Sequence, residues 1–117
     1  MPLMNASYAR VVRSLLAVAA AVVATTSAAE AAAPPSVARG KTLFVAACGS
    51  CHRLAAAGTH GRKGPDFGQE GASYGDVVDQ VVHGGGGMPA FSKSLTLKQI
   101  HDIAFFVARA TAGAHDD

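Results

Sequence analysis

Two cysteines stand three positions apart in Cys48-Gly49-Ser50-Cys51, with His52 directly after the second. The chain has 2 cysteines in 117 residues, so this pair holds all of its thiol chemistry. In an exported protein an even pair first suggests a disulfide. Three further chemistries use the spacing. A redox-active dithiol belongs in a βαβ setting, and no strand pattern surrounds this one. A zinc site needs more ligands at defined spacing, and there is no second cysteine pair. The third is covalent attachment of haem. Two thiols add to the two vinyl groups on one edge of the porphyrin, and the imidazole next in sequence then lies under the iron. C-x-x-C-H with no other cysteine points to the third.

A haem iron has a second axial position. The residue types able to fill it are Met88, His60, His83, His101 and His115, with water as the remaining option. Met1 and Met4 lie at the N-terminus, which leaves Met88 as the methionine of the domain. It sits in the stretch Val82–Phe91, VHGGGGMPAF, behind four glycines and before Pro89, which fixes backbone direction. A methionine on a helical stripe belongs to a core. One in a glycine loop has no stripe to belong to. His83 is close by in sequence, but as a helix-end residue it also suits the helix dipole. A scan for hydrolytic or metal-hydrolase chemistry finds no Ser/His/Asp arrangement and no HExxH, and Asp66, Glu70, Asp76 and Asp79 read as loop and helix-surface charges.

These groups must be positioned by a small domain. Arg10 and Arg13, the apolar run Leu15–Ala24 and the small residues that follow read as a secretory signal over 1–29. The preferred cleavage site follows Ser27-Ala28-Ala29, and Ala29-Glu30-Ala31 is the alternative. The apolar run falls short of the ~20 residues of a spanning helix, so no stable membrane insertion is expected after cleavage. A linker over 30–35, a domain over 36–112 and a tail over 113–117 complete the expected organisation. Ten basic residues less Arg10 and Arg13 leave eight, against eight acidic ones. That balance argues against nucleic acid as a partner. The mature chain has no tryptophan and few aromatics, and a domain this small is marginal without a staple.

Within the domain the periodicity predicts a helix from about Ser36 to Cys48, with Val37, Phe44, Ala47 and Cys48 apolar. Gly40 inside it costs ~1 kcal/mol against alanine, either as tolerated surface flexibility or to admit another helix. Leu54–Gly71 reads as loop with a turn at Gly64-Pro65. Ser73–Gly84 reads as a helix with Ser73 and Asp76 as a capping box and Val77, Val78, Val81 and Val82 as its apolar stripe. A last helix runs from Thr96 to about Ala110, with Gln99 as box partner and Leu95 and Ile100 as hydrophobic staple. Ile100, Ile103, Ala104, Phe106 and Val107 form its buried face. No strand pattern and no internal repeat is visible.

Gly40 with Phe44, the CGSCH run, GPDF at Gly64–Phe67, a helix ending in glycine, GMPAF, and a final helix with an aromatic follow one another in this order. On these residues the chain resembles the small class I cytochromes c, from about Val37 to Thr111. It differs at Phe106, where tyrosine is frequent, and in its Gly-rich methionine loop. The resemblance implies an all-α fold with helices packed around one covalently attached haem c. It implies thioether bonds at Cys48 and Cys51, His52 as proximal and Met88 as distal ligand, and a Pro65 carbonyl accepting from the His52 ring N–H. It implies that Gly40 admits the last helix near Phe106. The expected function is one-electron transfer in the periplasm by a monomer that is not an enzyme. The expected partners are a redox donor and acceptor such as a dehydrogenase, an oxidase or a bc-type complex. A haem-based ligand binder or weak peroxidase, and a haem subunit of a larger redox complex, are the alternatives.

Overall fold

A computed structural model describes residues 33–113. The expected leader with Met1 and Met4, the first half of the linker, and the tail from position 114, with His115, lie outside the described residues. The chain divides between Pro34 and Pro35, and every element below belongs to the part that begins at Pro35.

Helix α1, Val37–Ala47, opens at Ser36, whose hydroxyl accepts from the Arg39 N–H at 3.3 Å. It closes at Cys48, whose N–H donates to the Phe44 carbonyl at 2.8 Å. The expected span, Ser36–Cys48, therefore took in both caps. Only Gly40 and Phe44 of α1 are buried. Val37, expected on the apolar face, is 41% exposed because that face turns away from the domain at its first residue.

The segment expected to be loop carries more structure than its composition suggests. Strands β1, Arg53–Leu54, and β2, Thr59–His60, pair antiparallel with Arg53 opposite His60. A single 3₁₀ turn, Ala55–Ala57, joins them through Gly58 at φ 66°. A one-turn helix, α2, Phe67–Glu70, follows, capped by Asp66, whose carboxylate accepts from the Gly68 N–H at 2.9 Å. Two-residue strands are too short to show an alternation, which is why the pattern did not reveal them. They leave the helical character of the domain unchanged.

Helix α3, Tyr74–His83, begins at Ser73, whose hydroxyl accepts from the Asp76 N–H at 3.2 Å. The expected reciprocal bond is replaced. The Asp76 carboxylate takes the Ser73 hydroxyl proton, at 2.6 Å, because aspartate is one methylene shorter than the glutamate of a full box. Helix α4, Leu97–Ala110, does have the full box. Thr96 accepts from the Gln99 N–H at 3.2 Å, and the Gln99 amide oxygen accepts from the Thr96 N–H at 2.9 Å.

Helices α1 and α4 cross at Gly40. A Cβ there would lie 2.0 Å from the Asp102 carbonyl oxygen and 2.7 Å from the Phe106 Cβ. Close approach, and not surface flexibility, is the reason for the glycine. Around the crossing lie Phe44, Ile100, Ile103, Ala104, Phe106 and Val107, joined by Leu54 and by Val77 and Val81 of α3. Val78 and Val82 are half-buried at its margin. Asp102 of α4, whose backbone meets Gly40, is 1% exposed. Its carboxylate accepts from the Ser36 N–H at 2.7 Å, Arg39 Nε at 3.0 Å and Lys98 Nζ at 2.8 Å.

Candidate functional site

The end of α1 builds the thiol-bearing turn. The Cys48 carbonyl accepts from both the Cys51 N–H at 3.1 Å and the His52 N–H at 3.0 Å. This winds the chain so that two cysteines and the histidine leave one turn. Both thiols are free. Cys48 is 7% exposed and part of the core, and Cys51 is half-buried. Burial, and secondarily the neighbouring Cys51, pushes the Cys48 thiol up to about 11. Burial therefore works against a reactive thiolate at Cys48. For zinc, no group of three or more His, Cys, Asp or Glu among the described residues is placed to hold a metal ion.

His52 is 8% exposed. Its Nδ1 lies 3.1 Å from the Pro65 carbonyl oxygen. A carbonyl can only accept, so Nδ1 carries a proton in this contact, and in the neutral imidazole the lone pair is on Nε2. The structure thus brings together the histidine and the proline singled out in the sequence. It adds two neighbours that the sequence reading missed. A Cβ on Gly64 would lie 2.5 Å from His52 Cε1 and 2.8 Å from Nδ1, so backbone lies directly against the imidazole. Phe67 stacks on the same ring, centroids 4.7 Å apart and planes 19° from parallel. An aromatic two positions beyond Pro65 was the available signal.

Met88 follows a tight hairpin turn. The Gly85 N–H donates to the Met88 carbonyl at 2.8 Å, and the Met88 N–H returns a bond to the Gly85 carbonyl at 3.1 Å. The corner residues Gly86 and Gly87 have φ 62° and 89°, the pattern of a type I′ turn, which glycine adopts without strain. The Gln80 side-chain amide donates to the Gly85 carbonyl at 3.2 Å, and the Phe91 N–H to the Val81 carbonyl at 2.8 Å, so the loop is tied to α3 on both sides. Gly84 has a further constraint: a Cβ would meet the Ala90 nitrogen at 2.6 Å. Left-handed backbone thus accounts for the four glycines. Met88 is half-buried and packs against the core.

The histidines weighed against Met88 have other surroundings. His83 is exposed, with Nδ1 3.0 Å from the Asp79 carbonyl and 3.1 Å from its carboxylate. His101 stacks on Tyr74 and shares a short hydrogen bond with its hydroxyl. His60 is exposed on β2, opposite Arg53. The set of two free thiols on one turn, an imidazole with Nε2 available and a thioether on a pinned loop suits a haem held through two thioether bonds.

The family model for the cytochrome c oxidase, cbb3-type, subunit III matches residues 35–107. Cytochrome c6 of Rippkaea orientalis (strain PCC 8801 / RF-1) is 37% identical over 84 residues, which cover 63% of this chain and 74% of that protein. The crystal structure of the c-type cytochrome SorU from Sinorhizobium meliloti superposes with a TM-score of 0.61 at 30% identity, over 64% of this chain and 90% of SorU.

Proposed function

Because this chain belongs to the cytochrome c family, we propose that it is a one-electron carrier with a single haem c joined to Cys48 and Cys51. When bound, that group supplies one-electron chemistry at iron. In this reading Cys48 and Cys51 would hold it covalently, and His52 Nε2 and the Met88 sulfur would be its iron ligands. The Pro65 carbonyl keeps a proton on Nδ1, orients the ring and raises its basicity. A histidine and thioether ligand pair would favour the reduced state and raise the potential. With side chains as both ligands, no place would be left for oxygen or peroxide, which supports a carrier over an enzyme.

The observation that carries the reading is the 3.1 Å contact between His52 Nδ1 and the Pro65 carbonyl, on the turn that bears two free thiols. Periplasmic location is proposed on the signal expected over 1–29, and no described helix is long and apolar enough to cross a membrane. A redox donor and acceptor, a dehydrogenase, oxidase or bc-type complex, are the proposed partners of a monomer. A second reading, a haem subunit of a larger redox complex, is favoured by the oxidase subunit named in the family description. Co-purification with other subunits from the native host distinguishes it from a free carrier.

Replacement Met88→Ala tests the axial assignment. The sulfur-to-iron band of the oxidised protein should vanish, the potential should fall, and the reduced variant should take up carbon monoxide. A native protein that lacks the band and binds carbon monoxide would replace the carrier reading with ligand binding or weak peroxidase activity. A silent Met88→Ala with an opened site in His83→Ala would move the ligand to His83.

A further inference from the structure

A single hydrogen bond fixes where one ring atom points. Tethered only at Cβ and at that bond, the imidazole can still rock about the two points. Something else must hold the plane of His52, and Phe67 has the geometry to do so. Its ring lies nearly parallel to the imidazole, 19° off, with centroids 4.7 Å apart. Gly64 closes a further approach, since even a Cβ there would overlap the ring.

The backbone sets up this stack. Arg53 directly follows His52, and Asp66 directly precedes Phe67. The two are joined by a parallel bridge and by an ion pair, Arg53 Nε to Asp66 Oδ2 at 3.7 Å. The segments 52–53 and 66–67 therefore run side by side. Asp66 also caps α2, whose first residue is Phe67. Behind Phe67 stands Phe44, at 6.2 Å and tilted 59°. Behind Phe44 stands Phe106, edge-on at 5.8 Å. Phe44 and Phe106 are buried at the crossing of α1 and α4. The flat face offered to His52 is the outer end of a file of rings anchored in the core.

The geometry points to Phe67 as a positioning residue that sets the rotation of the His52 ring, and so the direction in which its π electrons meet the iron. This rests on the proposed role of His52 as an axial ligand. Neighbours that orient a ligand tune the metal as well as hold it. Phe67 acts through His52 and touches no reacting atom in this role.

The test uses the haem-loaded protein and compares Phe67→Leu with Phe67→Tyr. Leucine keeps bulk and removes the flat face, and tyrosine keeps both. The readouts are the g values of the oxidised protein and the spread of its four haem methyl proton shifts, beside the sulfur-to-iron band and the melting temperature. In Phe67→Leu the g values and the methyl spread should shift while the band persists. In Phe67→Tyr the wild-type pattern should return. Phe44→Leu, which removes the backing ring, should shift the same signals in the same direction by less, and it serves where Phe67→Leu does not fold. Unchanged g values and methyl spread in Phe67→Leu overturn the inference, and so does an equal shift in Phe67→Tyr. Failure of the ligand reading itself is seen earlier, as a wild-type protein without the histidine–thioether signature.

Discussion

At Asp102, a buried carboxylate is held by a backbone N–H, a guanidinium and an ammonium. Burial alone would raise its pKa. The hydrogen bonds from Arg39, Lys98 and Ser36, with the charge of Lys98, outweigh that and leave it below the usual value. The folded pKa thus lies under the unfolded ~3.9. The stabilisation is full above about pH 4 and is lost as pH falls through the folded value. Asp102→Asn should therefore cost about 2 kcal/mol at neutral pH, and the gap to wild type should narrow in acid. Chemical denaturation at pH 7 and pH 3 measures both. Gly40→Ala places a methyl on the Asp102 carbonyl and should cost ~1–3 kcal/mol, as overpacking does. A melting curve unchanged from wild type would place the crossing elsewhere. Gly40 was legible because a glycine inside a helix demands a reason. Asp102 was not, since nothing in a single sequence says that its partners stand at positions 36 and 39. The ion pair of Arg53 with Asp66 was hidden for the same reason: it joins segments distant in sequence.

Among the elements, the loop from Gly84 to Met88 separates two roles of glycine. Gly86 has φ 62° and open space around its Cβ position, so Gly86→Ala costs only backbone strain, ~1–2 kcal/mol. Gly84 has φ 68° and also abuts the Ala90 and Pro89 backbone. Gly84→Ala should cost more and loosen Met88, seen as a weakened sulfur-to-iron band beside a melting point below that of Gly86→Ala. The helices were readable from their caps and stripes, with Ser73, Thr96 and Gln99 marking starts within a residue of the observed ones. The ladder of β1 and β2 and the turn α2 were not. The ladder rests on the pairing of Arg53 with His60 and Leu54 with Thr59, and the stretch before α2 on Gly64 N–H to the Cys51 carbonyl, 2.8 Å, which no local period records. The stack of Phe67 on His52 depends on those same bonds, so half of the surroundings of His52 stayed hidden while Cys48, Cys51, His52 and Met88 stood out by type and spacing.

For the whole molecule, the apolar side chains buried around the crossing are few, and domains of this size are marginal without a staple. In the proposed reading the haem completes that core. Cys48→Ala with Cys51→Ala should leave a chain that limited proteolysis degrades quickly and that shows no cooperative melting. Arg62, Lys63 and Lys93 are exposed. If they guide an acidic partner, the bimolecular rate should fall as salt rises, because steering is screened beyond ~10 Å at 0.1 M. A rate indifferent to salt removes that role. The crossing at Gly40 also has a consequence in time. A chain exported behind the signal read over 1–29 enters the periplasm from its N-terminal side, so α1 and the turn with both thiols arrive early, while Asp102 and Phe106, which pack on Gly40 of α1, come close to last. Until they do, the buried face of α1 has no partner. The order of arrival leaves the two sulfurs an interval before the core that includes Cys48 is complete, and docking of the final helix ends it.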